Sequence, residues 1–315
     1  MSLGSIIVFV NRGKDKNIMI NGGPDKEGGF SYNSDGTVTL GEGMVSNGFW
    51  DSETGAIIDQ GTLLKPIDRK IKGRISFSQN IPDIRSYLLV IMIDYVQQSF
   101  SVDNNEYSTY SFSLKGNESK NINVEVSLSE LNSMEFEYMI ISEPDMKEFS
   151  IDNKNEWKKL LMTKELRTWR LPLSNSMEEN LSLKYDNTYE KFDFHGNQLG
   201  DGINLTKTHQ NIMALPSCKS MEELEIVLGN TSKENSEYVL VAFLNWKQVP
   251  FDNENIVKYV DIPSNTNIYY KLTTPKVDSD TPYQIFAFPK PFNNDIRYSA
   301  PPTSTLRTII RASVE

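Results

Sequence analysis

Histidine and cysteine are nearly missing: two histidines and one cysteine in 315 residues. The single thiol, Cys218, excludes an intrachain disulfide, which fits a cytosolic chain as well as an exported one that makes no use of disulfides. The scarcity also limits chemistry. Zinc sites want several His, Cys or carboxylate ligands at short spacings, and the one cluster on offer, His195, Asp201, His209 and Cys218, follows no such spacing. A Cys–His nucleophilic pair would need the same thiol. Cys218 follows Pro216-Ser217 and precedes a strand at Leu224 to Leu228, so it reads as a structural residue.

Other signatures are missing too. There is no G-x-S-x-G around any serine. The glycines at 22–23 and 28–29 are not followed by a helical pattern, and Gly13-Lys14 lacks the flanking residues of a phosphate loop. Calcium is the ion the sequence could best hold, through Asp25, Glu27, Asp35 and Glu42, or through Asp193, Asp201 and the carbonyls of Gly200 to Gly202. Neither segment has the D-x-[DN]-x-[DN]-G spacing, so solvated acidic loops are the simpler reading. With 42 acidic residues, some carboxylate pair always exists, and glycosidase-like pairs cannot be picked out without geometry. The expectation is no catalytic residue, no metal ligand and no cofactor.

Long apolar runs are also missing. The longest, Tyr87 to Ile93, is far too short to span a bilayer and reads as a strand covered on both sides. Met1 to Ser5 reads as an added leader before the apolar Ile6 to Val10, and no secretory signal is visible. Positive charge is in deficit, with a net charge of −10. That argues against a general nucleic-acid binder, which needs basic surface to neutralise phosphates, and it favours solubility. One basic strip remains: Lys65, Arg69, Lys70, Lys72 and Arg74. A solvated face is its default reading, and contact with an acidic partner or a teichoic-acid-like polymer is the sharper one.

What is present is a repeat. Tyr87 to Phe100 (YLLVIMIDYVQQSF) aligns without a gap on Tyr238 to Phe251 (YVLVAFLNWKQVPF). Tyr95 meets Trp246, Gln97 meets Gln248, and backwards Ile75 meets Ile226. Three later blocks follow in the same order: Leu114 to Asn117 with Ile262 to Asn265, Tyr138 to Pro144 with Tyr283 to Pro289, and Leu166 to Thr168 with Leu306 to Thr308. We therefore expect a duplication of one module, with domains at 1–175 and 176–315 and a linker at Ser174 to Asn180.

Periodicity assigns the class. Ser111 to Leu114 and Asn121 to Leu128 alternate polar and apolar, the mark of a strand with one wet face. Phe136 to Ile141 and Ile268 to Leu272 add strands. Asn33 to Gly36 supplies hairpin chemistry between Phe30 to Tyr32 and Thr37 to Leu40. Strands recur about every 8–12 residues, as in a sandwich or barrel. Little helix is expected; the clearest piece is an insertion near 155–162, with Trp157, Leu160 and Leu161 on one face. The expected fold is all-β: two tandem immunoglobulin-like β-sandwich domains, preferred over closed barrels.

Among the aromatics Trp50, Tyr95, Trp157, Trp169 and Trp246, the pair Tyr95 and Trp246 occupies equivalent positions, which suggests packing rather than recognition. Trp50, beside Gly48 and Asp51 in an expected loop, is the better ligand candidate, so the candidate binding residues are Trp50 and Asp51.

An apolar strand followed by Asp/Asn-aromatic-x-Gln-x-x-Phe, carried by Asp94 to Phe100 and Asn245 to Phe251 with Pro144 and Pro289 later, resembles repeats in exported or surface-attached proteins of Gram-positive bacteria. The resemblance covers about half of each copy. It implies an Ig-like, extracytoplasmic, cell-surface setting and carries over no catalytic residue; a cytoplasmic location stays open. The expected function is a non-enzymatic binding or structural module with a protein or glycan ligand. The alternatives are a carbohydrate-binding or carbohydrate-active protein, and a phage or capsid-type structural subunit. If there is a site, it is expected in the loops and other features that differ between the copies, or between the two domains.

Overall fold

Alternation along the chain becomes alternation across sheets. In the computed structural model, which describes residues 31–32, 38–39, 44–130, 132–147, 166–173, 183–193, 202–251, 255–292 and 302–312, Ile71, Gly73, Ile75 and Phe77 of one strand are buried while Lys72 between them is exposed. The first strands, β1 (Ser31–Tyr32) and β2 (Val38–Thr39), form the antiparallel pair expected of the Asn33 to Gly36 turn. The helix expected near 155–162, the linker at Ser174 to Asn180 and the acidic residues Asp25, Glu27, Asp35, Glu42 and Asp201 lie outside the described residues, as does His195.

The first sandwich is built from β3 (Met44–Asp51), β4 (Ile57–Ile58), β5 (Lys70–Asn80), β6 (Arg85–Ile93), β7 (Val96–Gln97), β8 (Phe100–Val102), β9 (Asn105–Tyr107), β10 (Tyr110–Leu114), β11 (Glu118–Ser127), β12 (Glu135–Ser142) and β13 (Leu166–Pro172). One sheet runs β4-β3-β5-β11-β8-β9 and the other β10-β6-β12-β13, with β7 beside β6. Between them lies a core of Phe49, Ile75, Phe77, Tyr87, Leu89, Ile91, Ile122, Val124, Phe136, Tyr138, Leu171 and neighbours.

The second sandwich repeats the central strand pairing of the first but not its edges. Its strands are β14 (Glu190–Phe192), β15 (Gly202–Thr206), β16 (Ser217–Lys219), β17 (Glu223–Asn230), β18 (Ser236–Leu244), β19 (Lys247–Val249), β20 (Val257–Ile262), β21 (Thr266–Thr273), β22 (Thr281–Pro289), β23 (Thr303–Ser304) and β24 (Thr308–Arg311). The sheet β14-β21-β17-β15 faces the sheet β16-β24-β22-β18-β19, with β20 also paired to β18 and β23 to β22. The parallel pair β16–β24 has a counterpart in the first sandwich, the parallel bridge Leu64–Leu173. Two antiparallel sheets with this strand order, closed by a parallel contact at the last strand, form an immunoglobulin-like sandwich; among the described residues neither half closes into a barrel.

The third apolar cluster joins the halves. Leu88, Val90 and Met92 of β6 and Met139 and Ile141 of β12 pack against Val239, Val241 and Phe243 of β18 and Phe286 and Phe288 of β22. This explains the unbroken run Tyr87 to Ile93: odd residues enter the first core and even residues enter the seam between sandwiches. The strand expected at Phe136 to Ile141 is present as β12. All eight residues of β12 are buried, Glu135 and Glu137 included, because the second sandwich covers their outer face.

Strand register also shifts two of the alignments. Tyr87 lies opposite Ser142, and Tyr238 opposite Pro289, so Ser142, not Pro144, occupies the place of Pro289. The two-residue slip keeps every side chain on its face, which is why sequence matching tolerates it. By the same register Arg170, not Arg167, stands where Arg307 does: Arg170 lies opposite Glu137, and Thr308 opposite Tyr283 places Arg307 beside Gln284.

Candidate binding face

Trp50 belongs to strand β3 and not to a loop, a correction to the sequence reading. Phe49 turns into the core and is fully buried, so Trp50 must turn outward. The register places it beside Arg74 of β5. Its indole N–H donates to Ser76 Oγ at 3.0 Å, and the Arg74 guanidinium lies 5.3 Å from the ring centroid. Gly48 makes room: a Cβ there would sit 3.4 Å from Trp50 Nε1 and 3.6 Å from Ile57 Cδ1. The half-buried indole is thus held down on the outer face of the six-stranded sheet.

Asp51 ends the strand. Its Oδ1 accepts from the backbone N–H groups of Glu53 (3.0 Å) and Thr54 (2.7 Å) and from the Thr54 hydroxyl (2.9 Å). These donors, the Thr54 N–H foremost, hold the carboxyl below its usual range. Asp51 therefore shapes the turn into β4, next to Trp50.

The basic strip divides. Arg69 donates to the carbonyls of Leu128 (3.0 Å) and Ser129 (2.5 Å), pinning a tight turn in which Asp68 and Arg69 both have positive φ. Lys70, Lys72 and Arg74 alternate along β5 on the same outward face as Trp50. Lys70 and Lys72 both reach Glu125 of β11, at 2.5 and 2.9 Å, and their hydrogen bonds lower that carboxyl. Asn121 and Asn123 of β11, partners of Ser76 and Arg74, extend a polar surface on the side of β5 away from β3. Period-two reading of β5 could have found Ser76, and pairing with β3 was needed to bring it to Trp50.

Trp169, Tyr95 and Trp246 are structural, and Trp157 lies outside the described residues. Trp169 is buried and donates to the Ile58 carbonyl at 2.9 Å. Tyr95 and Trp246 are buried in the seam. Each follows an Asp or Asn in a two-residue turn with positive φ at both positions, 51° and 66° for Asp94-Tyr95 and 47° and 65° for Asn245-Trp246. An aromatic in this region is strained, and burial against the other half offsets the strain.

The seam holds the only fully buried arginines among the described residues. Arg170 donates to Glu135 Oε1 (2.6 Å), to the Tyr95 hydroxyl (2.6 Å) and, across the seam, to the carbonyls of Pro289 (2.8 Å) and Lys290 (3.2 Å). Arg307 answers from the other side, donating to the carbonyls of Ser142 (3.0 Å) and Glu143, with its guanidinium 4.7 Å from the Trp246 ring centroid. Burial alone would lower Arg170; Glu135 reverses this and holds it charged. Glu137, fully buried and 3.9 Å from Arg170 Nε, has neither carboxylate oxygen in a hydrogen bond. Burial pushes its pKa well above the usual value, with Glu135 adding to the push. These groups are closed off from solvent, so among the described residues this part of the space between the halves is packed core.

Cys218 is buried in the second core, its thiol pushed up to about 12 by burial. His209 stacks on Tyr269 with centroids 4.0 Å apart, and its Nδ1 lies 2.9 Å from Glu225 Oε2. Cys218 and His209 are each engaged in packing, and no group of three metal-ligating side chains occurs among the described residues. No helix among them is long and apolar enough to cross a membrane.

No family model and no curated protein matches the chain. Among solved structures, the C-terminal domain of the Streptococcus agalactiae AgI/II polypeptide BspA aligns at 8% identity and a TM-score of 0.24, covering 85% of this chain and 100% of that one. A second structure of the BspA C-terminal region gives 8%, 0.23, 84% and 99%. Red sea bream transglutaminase gives 8% and 0.22, with 86% of this chain covered and 31% of the enzyme. The fold assignment rests on the strand pairing above.

Proposed function

We propose that this protein is a non-enzymatic binding module, set at a bacterial cell surface, that holds an extended glycan on the outer face of its first sandwich. The observation that supports this reading is Trp50: an indole held by Ser76, flanked by Arg74 and lodged over Gly48 next to Ile57, with the polar side chains of β5 and β11 on the same sheet face. Sugars present C–H faces that stack on aromatic rings, with polar neighbours fixing orientation. The tandem arrangement supports it too, since the seam fixes the second sandwich behind the first and leaves this face outward.

The test is affinity electrophoresis of the whole chain through gels containing soluble polysaccharides. Retardation by at least one polymer, lost in Trp50→Ala with the melting temperature unchanged, is the expected result. Retention of binding by Trp50→Ala overturns the reading. Release of reducing ends from the polymer would favour a carbohydrate-active enzyme, and rings or larger assemblies in light scattering would favour a structural subunit.

A further inference from the structure

The chain is acidic overall, yet the outward row of β5 is basic. Lys70, Lys72 and Arg74 sit at every second position of one strand, so their charges form a line about 13 Å long at ~3.3 Å per residue. Its lower end is tempered by one acid, Glu125, which lies between Lys70 and Lys72. At its upper end the cation and the aromatic coincide, because Arg74 is beside Trp50. The second sandwich does not repeat this row. Its equivalent strand β17 carries Glu223 and Glu225 at the positions of Lys72 and Arg74, as the pairing of Ile226 and Ile75 with their neighbours fixes. The basic row is thus a property of one face in an acidic molecule.

Resting on the reading above, we propose that the ligand of this face is an acidic polysaccharide, lying along β5 with one sugar ring on Trp50 and its carboxylates against Arg74 and Lys72. A neutral glycan would use the indole and leave the row idle. A polyanion without sugar rings would use the row and leave the indole idle. The arrangement matches a chain that carries both features. Ser76, Asn121 and Asn123 supply neutral donors and acceptors beside it. Glu125 tempers Lys70 and Lys72 alike, so Arg74, beside the indole, dominates.

Three probes separate the terms: polygalacturonate, its fully methyl-esterified form, and poly-glutamate, each titrated into the whole chain at low and high salt. The expected result is saturable binding of polygalacturonate that weakens with salt. Trp50→Ala and the double variant Lys72→Ala/Arg74→Ala should each weaken it about tenfold, the equivalent of one lost stacking or charge contact. Lys219→Ala/Lys271→Ala, on the second sandwich, should leave it unchanged. Equal binding of the esterified polymer overturns the acidic assignment and leaves the glycan-binding reading standing. Equal binding of poly-glutamate, with Trp50→Ala silent, overturns both. No binding of any probe overturns the acidic assignment, and the wider polysaccharide panel then decides the glycan reading alone. Circular dichroism of each variant guards against loss of fold.

Discussion

The backbone N–H of Gln97 donates to Gln248 Oε1 at 2.7 Å, and the backbone N–H of Gln248 donates to Gln97 Oε1 at 2.8 Å. Each amide then gives its Nε2 to the aromatic turn of the other half: Gln97 to the Trp246 carbonyl (3.1 Å) and Gln248 to the Tyr95 carbonyl (2.8 Å). Residue i contacts j and j contacts i, as in an isologous dimer. Removing either side chain leaves buried backbone groups unmatched, at a cost of about 1–3 kcal/mol. Gln248→Ala should cost more than Gln97→Ala, because Gln248 is the more buried of the two. Urea unfolding of both singles and the double should show strong non-additivity; simple addition would mean that the two bridges act independently.

Glu137 gives the second prediction. Folding raises its pKa, so the folded state binds the proton more tightly than the unfolded one. Its contribution to stability is then full below about pH 4.3, the ordinary glutamate value, and falls as pH rises toward the raised value. Asp94, whose carboxyl is also raised by burial, acts in the same direction, and Arg170 opposes the rise at Glu137. Glu137→Gln should flatten this dependence by up to about 1.4 kcal/mol per pH unit and should raise stability at neutral pH. The second sandwich already has Gln284 at this place, with Nε2 donating to Ser304 Oγ and the Thr305 carbonyl. Thermal melts from pH 4 to 8 decide it; an unchanged slope would show that Glu137 does not titrate in that window.

Gly73 gives the third. A Cβ there would lie 2.1 Å from Cζ of the fully buried Phe49. Gly73→Ala should therefore cost about 1–3 kcal/mol or more by overpacking, and Gly73→Ala/Phe49→Leu should recover part of the loss. Failure of the double variant to recover anything would mean that the strand itself, not the ring, rejects the methyl group.

The duplication and its boundary near 175 are proposals that the seam makes testable. Fragments 1–175 and 176–315, made together, should co-purify as a 1:1 complex. Made singly, each exposes the apolar face that its partner covers and should self-associate. A soluble monomeric fragment with a folded β-type circular dichroism spectrum would show that the seam is dispensable.

Much of this was legible in the sequence. Alternation in Asn121 to Leu128 gave the wet and dry faces of β11, and turn residues placed Asn117 and Asn265 where the chain needs positive φ, 60° and 48°. Matched positions foreshadowed shared roles: Gln79 and Asn230 each donate one amide to three carbonyls, those of Asp83, Leu114 and Lys115 and those of Glu234, Ile262 and Pro263. Three things were not legible. Glu135 and Glu137 look like a solvated face until the second sandwich covers them. Tyr95 and Trp246 occupy turn positions that local preference gives to Gly or Asn, because long-range burial outweighs it. The outward direction of Trp50 followed only from Phe49 beside it being drawn into the core.

A symmetric dimer repeats every substitution on both sides of its axis, whereas a single chain holding both halves can change one side alone. The seam differs from side to side in that way: the first half has Tyr95 where the second has Trp246, and Glu137 where the second has Gln284. If the halves descend from one ancestor, tethering also held them at a high effective concentration, whatever the dilution outside. Selection on association was then relaxed at each position separately, and the outer faces were free to part ways, one toward Trp50 and the lysines, the other toward glutamates.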